Sequence, residues 1–145
     1  MATNISKRVP FQFTAHAEWE NGKLQTEVTF AVPNNKLLVI ENVSASLHCP
    51  VGQEITHTQI RTSVKGIVAW HNVFIPKTTV FNDGGSPLTN VYSGGQRLRL
   101  YADPGTRVFI LVGKNSSQIP DILGGGTDVY ISGYLLPVKS PSLGP

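Results

Sequence analysis

Residues 10–32 alternate apolar and polar side chains on both sides of Asn21-Gly22, the pattern of a β-hairpin closed by a two-residue turn. Asn-Gly tolerates the positive φ angles that a type I′ turn demands. Folding the chain about this pair places residue i opposite residue 43 − i. Trp19 then faces Leu24, Ala17 faces Thr26, Ala15 faces Val28, Phe13 faces Phe30 and Phe11 faces Val32. The other face pairs Glu20 with Lys23, Glu18 with Gln25, His16 with Glu27 and Thr14 with Thr29. A slip of one residue would mix the two sets, so turn and pattern specify one register. The segment commits the chain to β-structure and carries no catalytic signature.

The rest of the chain reads the same way. Extended stretches follow one another between Gly, Pro, Asn and Asp clusters, and helix-period stretches are nearly absent. Val32-Pro33-Asn34-Asn35-Lys36 is a turn into residues 37–47, where Leu37, Val39, Val43, Ala45 and Leu47 share a face that Glu41 interrupts. An acid in such a place marks a bulge or a register change more often than a buried catalyst. Residues 54–64 are Thr-rich and predict an edge or heavily solvated strand. Residues 67–75 are apolar on both faces, with Trp70 and Phe74 opposite Val73 and Ile75. Such a strand lies between layers or under a partner. A short strand over 78–81, an alternating strand over 96–101, an Asp103-Pro104-Gly105 turn, a core strand over 106–113 and a last strand over 128–138 complete the pattern. Residues 82–90 and 114–127 are loops, and loops on β scaffolds are preferred ligand sites.

The expectation is an all-β, single-domain antiparallel β-sandwich over residues 1–138, jelly-roll-like, with roughly eight to ten strands. Residues 139–145 are expected to form an extended or disordered tail. At 145 residues one domain can bury roughly 68–70% of its unfolded surface without disulfides. The single Cys49 has no intramolecular partner and reads as a small buried apolar residue before Pro50. No secretory signal and no run of about 18 apolar residues is present, so no membrane span is expected. Cytoplasmic synthesis is the default, with export or incorporation into a particle left open.

Charged residues make up 14% of the chain, against about 25% in an ordinary soluble domain. Sparse charge suits a protein whose faces are covered by copies of itself or by a neutral polar ligand. A net charge of +3 from scattered basic residues argues against nucleic acid as a partner. Arg97, Arg99 and Arg107, on adjacent strands near Tyr101, read as a solvated face.

Catalytic patterns are missing. His16, His48, His57 and His71 include no His-x-His or His-x-x-x-His pair, so no metal site and no cofactor is expected. No Gly-x-Ser-x-Gly elbow occurs, and the glycine clusters do not open helices, which removes phosphate cradles. Outward aromatic residues beside polar ones are the more informative set. Tyr130 and Tyr134 share a face with Asp128 and Ser132, and Arg97, Arg99 and Tyr101 share another. With Trp70 and Tyr92 they form the candidate ligand-binding residues. A ring stacks on the apolar face of a pyranose while polar neighbours bond its hydroxyls.

Leu37-Leu38-Val39-Ile40-Glu41-Asn42-Val43 with Pro50-Val51-Gly52-Gln53, Leu100-Tyr101-Ala102-Asp103-Pro104-Gly105-Thr106 and Ile131-Ser132-Gly133-Tyr134-Leu135 carry a resemblance. Together they resemble a group of small uncharacterised bacterial β-sandwich proteins over most of residues 35–137. That resemblance implies a jelly-roll-like fold and a bacterial or phage origin, and it transfers no active site. Residues 66–75 and 103–115 also resemble the two motif regions of cupins, but the ligand histidines of cupins are missing from both.

The reading is therefore a non-catalytic binding or assembly module that self-associates. A lectin-like carbohydrate binder is one alternative, and a cupin-like or hydrolytic enzyme with a site not visible in the sequence is the other.

Overall fold

The chain reverses between Glu20 and Lys23, the place of the predicted turn, of which Asn21 lies outside the described residues, but the strands on either side do not pair with each other. In the computed structural model, which describes residues 7–20, 22–81, 88–116 and 125–138, Gly22 has φ +78° and the Lys23 N–H donates to the Glu20 carbonyl at 3.0 Å. Beyond that turn the two strands part. β1 (Val9–Glu18) pairs antiparallel with β9 (Gly126–Pro137), and β2 (Gln25–Ala31) pairs with β8 (Arg107–Lys114). His16 consequently lies opposite Asp128, not Glu27. Trp19 is buried while Leu24 is exposed, so that predicted pair is also absent. The apolar stripe faces its partner across the core instead of along a hairpin: Phe13 and Phe30 meet ring to ring, 4.3 Å between centroids, across the space between two sheets.

The remaining strands are β3 (Lys36–Pro50), β4 (Ile55–Val64), β5 (Ile67–Asn72), β6 (Lys77–Phe81) and β7 (Thr89–Ala102). They complete a five-stranded sheet, β1-β9-β3-β7-β6, facing a four-stranded sheet, β2-β8-β4-β5. All pairings are antiparallel. This alternation between sheets is the interleaved order of a jelly roll, with β6 added as an extra edge strand. The sandwich predicted from strand spacing is the fold.

β4 and β5 form a tight two-residue hairpin. Lys65 (φ +51°) and Gly66 (φ +76°) link Val64 directly to its partner Ile67. Positive φ at both central residues is the type I′ pattern. Asp103 secures the turn by accepting the Lys65 N–H at 2.6 Å. The Pro33 and Asp103-Pro104-Gly105 turns form as predicted, closed by Lys36 N–H to Pro33 O and Thr106 N–H to Asp103 O.

Two strands differ from expectation for physical reasons. β4 is central rather than edge, because Thr58 and Thr62 flank Ile60 in the interior and supply a polar row inside the core. On β3 the apolar face changes sides. Leu38 and Ile40 point into the core, the register with both neighbours shifts between Ile40 and Asn42, and Val43, Ala45, Leu47 and Cys49 then point inward. Glu41 is the extra residue of a β-bulge. Leu37 and Val39 therefore do not share a face with Val43.

Gly133 on β9 exists because of that bulge. An alanine Cβ there would overlap the Val39 carbonyl oxygen and lie 3.1 Å from the Ile40 Cα.

Cys49 is fully buried, its thiol donating to the Gln53 carbonyl at 3.4 Å. Burial pushes its pKa up to about 11. The native thiol is expected to resist iodoacetamide at pH 8 and to react fully once unfolded, because the thiolate is the nucleophile. The raised folded pKa also gives the sign of a pH effect. Stability is complete below the unfolded value of 9.0 and declines as pH rises towards about 11, since the unfolded chain releases its proton first. Rapid alkylation of the folded protein would contradict this placement.

Candidate ligand-binding face

The outward side of the five-stranded sheet gathers six of the eight predicted ligand residues. Alternation along each strand sends every second side chain outward, and the register lines those side chains into rows. Pro10, Tyr134, Val39 and Tyr101 form one row across β1, β9, β3 and β7. Gln12, Ser132, Asn42 and Arg97 form the next. Thr14, Tyr130, Ser44 and Gly95 follow, then His16, Asp128, Ser46 and Ser93. Arg99 projects beside Glu41, at 3.9 Å.

Tyr92 and Trp70 do not belong to this face. Tyr92 points into the core, and its hydroxyl accepts the Ile55 N–H at 3.3 Å. Burial raises its pKa. Alternation runs unbroken along β7, and the inward phase of Leu98 and Leu100 carries through to residue 92. Trp70 is on the outside of the other sheet, with the Arg61 guanidinium between its ring, at 5.4 Å, and that of Phe109, at 3.7 Å. Arg107 also lies in that other sheet, so the three arginines do not form one patch.

The rows enclose a trough. A cavity of about 890 Å³ is lined by Glu41, Asn42, Arg97, Leu98, Arg99 and Ser132. A smaller one of about 210 Å³ shares Asn42 and Ser132 and extends to Gln12, Thr14 and Tyr130. Tyr130 stands half exposed at its β9 side. Arg97 makes no hydrogen bond or ion pair among the described residues. At the far end Tyr134 is covered by the Arg8 guanidinium, 4.5 Å from its ring centroid.

The row of His16, Asp128 and Ser46 contains hydrolase residue types without their connection. His16 Nδ1 bonds Asp128 at 2.8 Å, whereas Ser46 bonds His48 Nε2 at 3.2 Å. A triad needs one histidine linking acid to hydroxyl; here the two contacts use different histidines. Among the described residues no group of three or more His, Cys, Asp or Glu side chains could hold a metal ion.

A second surface stands out along β5, the edge of the four-stranded sheet. Ile67 is 71% exposed, Val68 and Trp70 are exposed on the same strand, and Phe74, just after it, is 76% exposed. Between the sheets on this side a cleft of about 320 Å³ is lined by Ile67, Ala69, Leu100 and Tyr101 among others. The sequence pattern puts Trp70 and Phe74 opposite Val73 and Ile75, and in the structure the first two are exposed and the last two buried. β5 is nevertheless an edge, not a strand between layers.

Parts of the two predicted ligand loops, residues 82–87 and 117–124, and the predicted tail over 139–145 lie outside the described residues. No helix among the described residues is long and apolar enough to cross a membrane. No protein-family model, curated protein or solved structure matches the chain, and its function has to be argued from these surfaces alone.

Proposed function

We propose that the protein is a non-catalytic assembly module that self-associates through the β5 edge of the four-stranded sheet. The observation that carries this is the run of exposed Ile67, Val68 and Trp70 along the edge strand β5, continued by the exposed Phe74 just after it. An edge strand offers unpaired N–H and C=O groups as a template, and natural proteins blunt such edges with charge, proline or cover. β5 itself carries no proline, lysine, arginine or carboxylate and presents mainly apolar side chains. A second copy supplies the cover most simply, because a two-fold axis lets one edge meet itself. A standard interface would bury about 800 Å² per partner.

Light scattering is expected to report a multiple of 15.7 kDa at high micromolar concentration. Trp70→Lys and Phe74→Asp, both at exposed positions, are expected to return the mass to 15.7 kDa without unfolding the chain. A wild-type monomer under those conditions would end this reading.

A further inference from the structure

We infer that the trough on the outer face of the five-stranded sheet binds an acidic oligosaccharide, a chain of carboxylate-bearing pyranoses. The site does not depend on self-association, since it is built on β1, β9, β3 and β7 rather than on the β5 edge. Three features select this chemistry together. First, Gln12, Ser132, Asn42 and Arg97 stand in one row, a strand apart. Strands are spaced by about 4.8 Å, comparable to the length of one pyranose unit, so a sugar chain lying across the strands meets a new polar side chain at each step. Amides and hydroxyls both donate and accept, which suits vicinal hydroxyls of either role.

Second, the half-exposed Tyr130 lines the adjoining cavity, which shares Asn42 and Ser132 with the larger one, and gives an aromatic surface for the C–H face of a sugar ring. Third, the charge at the β7 side is available. Arg97 has no hydrogen bond or ion pair among the described residues, and Arg99 has only the loose 3.9 Å approach of Glu41. A guanidinium binds a carboxylate through two parallel N–H bonds, with direction as well as charge. A neutral sugar would leave that charge unused. A nucleic acid would need more basic side chains along its path, whereas Glu41 forms part of this lining.

The cavity of about 890 Å³ is large enough for several sugar rings lying open to solvent.

The test is calorimetric titration of the full chain with hexamers of galacturonate, mannuronate and guluronate. Methyl-esterified galacturonate hexamer and inorganic polyphosphate serve as comparisons. At least one uronate hexamer is expected to bind, with esterification weakening it about ten-fold or more through loss of the charged pair. Arg97→Ala and Tyr130→Ala are each expected to weaken binding about ten-fold, while Trp70→Lys leaves it unchanged. Because Trp70→Lys also tests the oligomer, failure of assembly and failure of sugar binding are separate results. Perturbed side-chain amide resonances of Gln12 and Asn42 on titration provide a second readout on the wild-type protein. Three outcomes would each overturn the assignment: no binding of any uronate hexamer at millimolar concentration, equal binding of the esterified chain, or tight polyphosphate binding that Tyr130→Ala does not weaken.

Discussion

Gly133→Ala is expected to cost about 4 kcal/mol, near the upper end of single-substitution effects. The added methyl overlaps the Val39 carbonyl oxygen, and the Val39 carbonyl carbon would sit 3.0 Å from it. These are backbone atoms of the central strand β3, so no side-chain rotation relieves the contact. Relief requires β3 and β9 to separate or the bulge at Glu41 to move. Either change disturbs Leu38 and Ile40, which are fully buried immediately before the bulge. Urea denaturation should show a much lower midpoint with an unchanged slope. Ser132→Ala, one residue away on the outer face, should change stability by no more than about 0.5 kcal/mol. A loss below about 1 kcal/mol for Gly133→Ala would mean that the bulge is not held in place by this contact.

Trp19→Ala is expected to destabilise the fold by about 3–5 kcal/mol. Trp19 plugs the end of the sandwich just after β1 and is 5% exposed. Its indole N–H donates to the His48 carbonyl at 2.8 Å, and the buried Lys114 ammonium lies 4.8 Å from its ring centroid. Truncation therefore opens a cavity, removes a hydrogen bond across two strands and takes the aromatic face from a desolvated cation. Trp19→Phe separates these contributions. It keeps an aromatic ring and loses the N–H, so a cost of about 1–3 kcal/mol is expected. Equal losses for the two substitutions would assign the effect to the hydrogen bond alone.

Faces were legible in the sequence and partners were not. Period-two alternation determines which side chains travel together, and that information is local. It correctly grouped Phe11, Phe13, Ala15 and Ala17 on the inner side of β1, and Tyr130 with Asp128 and Ser132 on the outer side of β9. Which strand lies alongside is a global property. Asn21-Gly22 is compatible with a flat hairpin, but the apolar stripes of β1 and β2 are satisfied equally well by facing each other across a core. The sandwich takes the second solution because β9 and β8 then cover the two backbones. β4 reads as an edge from its sequence and is central in the fold for a related reason: threonine is compatible with a solvated face and with a tightly packed interior, and composition does not distinguish them. The acid at Glu41 was legible as an irregularity. Its effect on the phase of β3 was not, since Leu37 and Val39 are as apolar as Leu38 and Ile40. The trough was half legible. Its aromatic and arginine residues attracted notice as outward side chains, whereas Gln12, Asn42 and Ser132 are ordinary surface residues until the register brings them into one row.

The pairing of β1 with β9 has a consequence for how the chain acquires its shape. Phe13 is in register with Ile131, and Val9 with Leu135, so the first strand finds its neighbour only after the last has been made. During synthesis β1 leaves the ribosome as an apolar-striped segment with no sheet to join. Its local neighbour β2 must wait as well, for β8. Only β4–β5 and β6–β7 can close on adjacent sequence, and they belong to different sheets. Folding dominated by such distant pairings is slow, because loop closure comes before the contacts that reward it. In that interval the same Phe11 and Phe13 that later face Phe30 are available to other nascent chains.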